Sequence, residues 1–92
     1  MIMHIEREIE IINKLGLHAR AAAKLVNVAS SFSSEIEIEH NGESINAKSI
    51  MGLMMLAAAC GSTVKLSVSG DDYEEAIASI EALFNDRFGE EE

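Results

Sequence analysis

The sequence has no proline, no tryptophan and a single cysteine, and only 4% of its 92 residues are aromatic. One cysteine cannot build a disulfide framework, so the fold must depend on packed secondary structure, and Cys60 suits a reducing cytosol. Basic residues are also few: seven Lys and Arg against sixteen Asp and Glu give a net charge of −9. This charge opposes binding to nucleic acid or to an anionic membrane, so we expect neither partner.

Long apolar runs are missing as well. The segment from Met1 to Ile12 carries Glu6, Glu8 and Glu10 where a signal peptide needs an apolar run. No later segment is long enough to span a bilayer. We therefore expect a cytoplasmic protein without membrane insertion, and the length fits one domain over residues 1–92.

Alternation of apolar and polar residues predicts four strands, near residues 5–11, 35–40, 44–45 and 64–68. The pair Asn41-Gly42 is the usual signal for a two-residue type I′ turn between the second and third strands. One face of the sheet carries glutamates and Lys65, and we expect it to stay in water. Because these strands contain no aromatic residue, the sheet is unsuited to stacking RNA bases.

Three segments have helical spacing of their apolar residues. The first runs from Ala19 to about Phe32, and the second from Ser49 to Cys60, closed by Gly61 as the residue after the helix. The third follows Asp71, whose spacing to Glu74 resembles a capping box, and ends near position 88. The acidic tail, residues 90–92, is expected to fray.

The resulting order is βαββαβα. It predicts an α+β fold, an open-faced β-sandwich in which three helices cover one face of a four-stranded antiparallel sheet.

Two side chains that could take part in chemistry, His18 and Arg20, lie where the first strand leads into the first helix. The first-turn N–H groups of Ala19, Arg20 and Ala21 have no partner within the helix, and the helix dipole favours an anion such as phosphate there. The same field disfavours imidazolium at His18 and leaves a neutral ring nitrogen free to attack an electrophile. Arg20 could add a charged donor to a phosphoryl group on the ring. Alternatively, His18 is a loop histidine that caps the helix and Arg20 is an ordinary exposed arginine.

A metal site is not indicated. His4, His18, His40 and Cys60 lack the close spacing of zinc ligands, so we expect no metal, and nothing in the sequence calls for another cofactor.

Two stretches of sequence resemble the signatures of a known family, HPr, the histidine-containing phosphocarrier of the phosphoenolpyruvate-dependent phosphotransferase system. The first is Gly16-Leu17-His18-Ala19-Arg20-Ala21-Ala22-Ala23-Lys24-Leu25-Val26, which resembles its active-site signature. The second is Lys48-Ser49-Ile50-Met51-Gly52-Leu53-Met54-Met55-Leu56, which resembles the signature around its regulatory serine. Their order and spacing, together with the predicted element order, make the resemblance extend over nearly the whole chain.

The resemblance implies that His18 accepts a phosphoryl group on Nδ1 from phosphorylated Enzyme I and passes it to an EIIA-type acceptor, with Arg20 steadying the phosphate. Such a carrier avoids hydrolysis, so we expect no buried general base beside His18. The family usually has proline after the arginine, where this chain has Ala21. Proline is tolerated in a first helical turn, so this departure should leave the fold intact.

Further roles follow from the same resemblance. Ser49, which is also a plausible N-cap, would be phosphorylated by HPr kinase/phosphorylase in some lineages. Partner docking would use Lys24, Ile50, Met51 and Met54, although part of this methionine-rich stretch must belong to the core.

We expect a monomer that carries phosphate and is not an enzyme. The alternatives are a small acylphosphatase-like enzyme, in which His18 would have no role, and a purely regulatory interaction module.

Overall fold

The computed structural model describes residues 3–92, so the first two residues of the predicted amino-terminal segment lie outside the described residues. The strands are β1 (His4–Glu10), β2 (Glu35–His40), β3 (Glu43–Asn46) and β4 (Thr63–Ser69). The helices are α1 (Ala19–Ser30), α2 (Ile50–Leu56) and α3 (Tyr73–Asn85), followed by a short 3₁₀ turn at Arg87–Gly89. The predicted βαββαβα order is confirmed.

The four strands form one antiparallel sheet in the order β1-β4-β2-β3. The central strand β4 aligns Val68 with Ile5 of β1 on one side and with Ile36 of β2 on the other. The hairpin between β2 and β3 turns at Asn41 and Gly42, which have φ values of 52° and 82°. Positive φ at both positions is what a type I′ turn requires, so this turn is also as predicted.

One face of the sheet packs against the helices, and the other carries most of the glutamates. The buried strand residues join α1, α2 and α3 in one hydrophobic core, which includes Leu25, Leu53 and Phe84. On the open face, Lys65 forms an ion pair with Glu39 at 3.2 Å. Within residues 3–92, no helix combines the length and the apolar character needed to cross a bilayer. The predicted open-faced architecture is confirmed.

The second helix is shorter than its composition predicts. It ends at Leu56, and Ala57 adopts a left-handed conformation with φ 51° instead of continuing the helix to Cys60. The following backbone bonds to the loop before α1: the Leu17 N–H donates to the Ala58 carbonyl at 2.9 Å. Good helix formers are overridden here because the chain has tertiary hydrogen-bond partners outside a helix.

The predicted capping box at Asp71 does not form. Asp72 is the N-cap of α3, and its carboxylate accepts hydrogen bonds from the backbone N–H groups of Ser33 and Ser34, at 2.8 and 2.9 Å, and from the Ser34 hydroxyl. These bonds hold the pKa of Asp72 down at about 2, the Ser34 hydroxyl contributing most. Asp72 therefore joins the start of α3 to the loop before β2.

Candidate functional site at the start of the first helix

His18 is the N-cap of α1. Its extended backbone, with φ −79° and ψ 179°, turns the chain into the helix, and its carbonyl accepts from the Ala22 N–H at 2.8 Å. Its ring Nδ1 accepts from the Arg20 N–H at 3.3 Å. This geometry agrees with the capping alternative, and it also places Nδ1 at the positive end of the helix, beside the first-turn N–H groups of Ala19 and Ala21.

The other ring nitrogen of His18 contacts the acidic tail. Nε2 and a carboxylate oxygen of Glu90 are hydrogen-bonded, and the two side chains are 27% and 14% exposed. The second carboxylate oxygen accepts from the Asn13 side-chain amide at 3.0 Å. The Glu92 carbonyl accepts from the Lys14 N–H at 3.0 Å, so the structure places the tail against the loop before α1, and the fraying of residues 90–92 stays a prediction.

This tail is held in place by the residues that precede it. Phe88 is fully buried, with its ring centroid 4.9 Å from that of Phe84. The Lys24 ammonium donates to the Phe88 carbonyl at 2.6 Å. Gly89, with φ 77°, then turns the chain towards His18. Burial of one aromatic ring thus brings an acidic side chain to the site.

We expected no buried general base beside His18, and this expectation is wrong, because the largely buried carboxylate of Glu90 contacts the ring. A largely buried carboxylate touches the ring, but it does so at Nε2, on the side away from Nδ1. Both of its oxygens already accept hydrogen bonds, from His18 and Asn13. It lies on the opposite side of the ring from Nδ1, away from the place where a water molecule would attack a phosphorus atom on that nitrogen.

Arg20 and Ser49 are both exposed. Arg20 flanks a groove next to Glu90 and the loop residues Lys14 and Leu15, on the same side of the molecule as His18. Ser49 is the N-cap of α2, and its hydroxyl oxygen accepts from the Gly52 N–H at 3.2 Å. The capping role predicted for Ser49 is confirmed by this contact.

The methionine-rich helix α2 divides into a buried and an exposed side. Leu53 and Leu56 are buried, whereas Met51 is 67% exposed and Ile50 and Met54 are also exposed. Met54 lines a groove that contains His18. The structure therefore brings Met54 to the histidine, while Lys24, grouped with these residues at first, has its ammonium on the Phe88 carbonyl.

Comparison with known proteins gives the family. The family model described as "PTS HPr component phosphorylation site" matches residues 5–86. The chain belongs to the HPr family. The phosphocarrier protein HPr of Cupriavidus necator is 53% identical over 88 residues, which cover 96% of this chain and 99% of that protein.

Solved HPr structures share the fold. The crystal structure of HPr-C-His from Thermoanaerobacter tengcongensis has a TM-score of 0.92 at 53% identity and covers 96% of this chain and 99% of that one. An HPr dimer from the same organism has a TM-score of 0.76 at 55% identity, covering 89% and 94% of the two chains. The resemblance inferred from the two sequence signatures is confirmed, and membership of a phosphocarrier family decides against the acylphosphatase-like alternative.

Two residues of the HPr-like site were missed in the sequence, Asn13 and Glu90. Asn13 is fully buried and also donates to the Gly16 carbonyl at 2.7 Å. Glu90 stands among three consecutive glutamates that carry no periodic signal. The available signal was Phe88, an apolar residue so close to the tail that its burial restricts where the tail can lie.

Proposed function

We propose that this chain accepts a phosphoryl group on Nδ1 of His18 from phosphorylated Enzyme I and passes it to a histidine of an EIIA-type protein. The observation that carries this proposal is the position of Nδ1, which faces the first turn of α1 and accepts from the Arg20 N–H. A phosphoryl group on that nitrogen would meet unpaired N–H groups at the positive end of a helix dipole. These are the groups that favour a dianion.

Arg20 is assigned to the phosphoryl oxygens. Its exposed side chain starts in the first helical turn, two residues after His18. A guanidinium offers several donors in a fixed plane, which suits the oxygens of a phosphoryl group in transfer. The backbone N–H groups of Ala19, Arg20 and Ala21 would complete the anion site.

Docking is assigned to the exposed side of α2. Ile50, Met51 and Met54 are exposed apolar side chains, and Met54 lines the groove that contains His18. Flexible methionine side chains suit a surface that meets Enzyme I and EIIA in turn. Lys24 stays a predicted docking residue. Phosphorylation of Ser49 by an HPr kinase/phosphorylase would add charge next to this surface and so regulate the encounter.

We further propose a cytoplasmic location and a monomer. One solved relative is described as an HPr dimer, so the oligomeric state should be measured by light scattering, where a mass near 10.0 kDa supports the monomer.

The experiment is labelling with phosphoenolpyruvate and Enzyme I. We expect one acid-labile, alkali-stable phosphoryl group, formed in a burst without continued release of phosphate. His18→Ala should abolish it, and Arg20→Ala should slow its formation without unfolding the chain. Arg7→Ala is the matched control, because Arg7 is an exposed arginine paired with Glu81 on another part of the surface. Full labelling of His18→Ala would refute the proposal, and no labelling of the wild type would favour a purely regulatory interaction module.

A further inference from the structure

The Glu90 carboxylate lies between two donors, one at each oxygen. One oxygen accepts from the Asn13 amide at 3.0 Å and the other bonds to Nε2 of His18. Asn13 is itself fixed, since it is fully buried and its amide also donates to the Gly16 carbonyl at 2.7 Å. The carboxylate is thus oriented by a rigid neighbour rather than by solvent.

These contacts determine which ring nitrogen of His18 carries the proton. An ionised carboxylate can only accept hydrogen bonds, so Nε2 must be the donor. At Nδ1 the partner is the Arg20 N–H, which can only donate, so Nδ1 must present its lone pair. The two contacts therefore favour the same tautomer from opposite sides of the ring.

The carboxyl group of Glu90 is suited to stay ionised in this setting. Burial favours its neutral form, but hydrogen bonds from Asn13 and His18, together with attraction to nearby positive charge, outweigh burial and hold the pKa of Glu90 below its usual value. The charge is therefore present at neutral pH, where the tautomer assignment needs it.

We propose that Glu90 is a positioning residue for phosphoryl transfer, which keeps the proton of His18 on Nε2, points Nδ1 at the helix terminus and balances the charge that the ring gains. This inference rests on the proposed carrier function. It adds a residue outside both sequence signatures.

The chemistry balances without a base. The Nδ1 lone pair forms the bond to phosphorus while the bond from phosphorus to the donor atom of Enzyme I breaks, and that atom keeps the electron pair. No proton has to leave Nδ1, because none is there. The His18 ring becomes a phosphoimidazolium with its proton on Nε2, and the Glu90 carboxylate faces that positive charge. Transfer to the acceptor histidine is the same exchange in reverse, and it returns the ring to its neutral tautomer.

The test compares Glu90→Ala and Glu90→Gln with Glu91→Gln, a control that removes a neighbouring tail charge at an exposed position. The first measurement is the ¹⁵N NMR spectrum of the His18 ring at a pH where it is neutral. We expect a protonated Nε2, with a slowly exchanging proton, in the wild type and in Glu91→Gln. Glu90→Ala should lose that slow exchange and populate the Nδ1-protonated form.

The second measurement is phosphorylation by phosphoramidate, a small donor that needs no Enzyme I. Peptide mapping and ³¹P NMR should place the group on Nδ1 of His18 in the wild type, with some Nε2 product in Glu90→Ala.

The third measurement is the rate of transfer from Enzyme I. It should fall about tenfold in Glu90→Ala, the scale expected when a hydrogen bond to a charged group is lost. Glu90→Gln should lie between wild type and Glu90→Ala, and Glu91→Gln should stay within about twofold of wild type.

The outcomes separate this inference from the proposed function. If the wild type accepts nothing from Enzyme I, the carrier function fails, while the NMR and phosphoramidate results still decide the role of Glu90. If the wild type is labelled and Glu90→Ala matches it in ring spectrum, product position and rate, Glu90 has no positioning role. A slower rate with an unchanged ring spectrum and product position would also overturn the inference, because it would indicate only a structural effect of the tail.

Discussion

Gly16 lies in the loop that carries His18, packed against the segment that follows α2. Its φ is 67°, and a Cβ added there would lie 2.7 Å from the Ala58 carbonyl oxygen and 3.0 Å from the Ala59 Cα. Real Cβ atoms do not approach backbone atoms that closely, so the segment after α2 would have to move. That same Ala58 carbonyl accepts from the Leu17 N–H at 2.9 Å. A substitution at Gly16 should therefore act on the hydrogen bond that holds the loop.

We predict that Gly16→Ala lowers the free energy of unfolding by about 1.5–3.5 kcal/mol. A left-handed conformation costs a residue with a Cβ roughly 1–2 kcal/mol, and loss of the bond between Leu17 and Ala58 adds about 0.5–1.5 kcal/mol. Gly61→Ala is the matched control, because Gly61 also has a positive φ, 89°, but a Cβ there meets nothing within 4 Å. Only the first cost applies to Gly61.

The assay is equilibrium unfolding in urea, supported by thermal melting. Each 1 kcal/mol corresponds to about 4–8 °C in the thermal midpoint of a chain of this size. We expect Gly16→Ala to melt clearly below Gly61→Ala, and we expect slower phosphoryl acceptance in Gly16→Ala because the loop leading to His18 shifts. Equal midpoints for the two variants would refute the reasoning, since the close approach to Ala58 would then have no energetic weight.

Three further predictions concern the helix starts. Ser49→Asp should weaken binding to Enzyme I in a calorimetric titration and leave the thermal midpoint unchanged or higher, because aspartate also caps a helix but adds charge beside an apolar surface; unchanged affinity would place Ser49 outside the docking surface. Ala21→Pro should raise stability by about 0.4–1 kcal/mol, because the Ala21 N–H lies in the first turn and has no intrahelical acceptor; a clear drop in midpoint would contradict this. Stability should fall as the pH drops from about 4 to about 2, because the pKa of Asp72 is about 2 in the folded chain, held down by Ser34 and Ser33, against an ordinary 3.8. Asp72→Asn should flatten that part of the pH profile relative to Asp71→Asn, and an unchanged profile would contradict the assignment.

The strands were predictable from sequence because each has one face in the core and one face exposed to solvent, which gives alternating apolar and polar residues. Glu35-Ile36-Glu37-Ile38 alternates strictly, and Ile36 and Ile38 are the buried residues of that run. A shift of one residue would expose both isoleucines, so the pattern fixes register as well as element type. The same holds for β4, where Val64, Leu66 and Val68 are buried.

Helix ends were less predictable, because distant hydrogen bonds decide them. The alanines after Leu56 favour helix in isolation, yet Ala57 takes a left-handed φ and Ala58 turns its carbonyl to Leu17, more than forty residues away in sequence. Asp72 likewise caps α3 by position while its carboxylate bonds to Ser33 and Ser34. In both cases the hydrogen-bond partner is far away in sequence, so the local sequence does not reveal where the helix begins or ends.

The candidate site also has a part that the local sequence predicts and a part that depends on distant contacts. His18, Arg20 and the first turn of α1 are contiguous in sequence, so a single motif predicts that the histidine lies beside an anion site. Glu90 reaches the ring from 72 residues away, and it does so because burial of Phe88 determines the path of the tail. No local sequence pattern indicates that Glu90 contacts His18.

A carboxylate beside a phosphorylated histidine is at first sight a liability for a carrier, because a free carboxylate could activate water and release the phosphate. The arrangement around Glu90 avoids this by geometry. Both oxygens accept hydrogen bonds, from Asn13 and from Nε2, and Nδ1 points away from them towards the Arg20 N–H. In the proposed carrier the charge would face the phosphoimidazolium from the Nε2 side, while a phosphorus atom on Nδ1 would lie on the opposite side of the ring from the carboxylate. The contact that we propose to assist transfer thus need not assist hydrolysis.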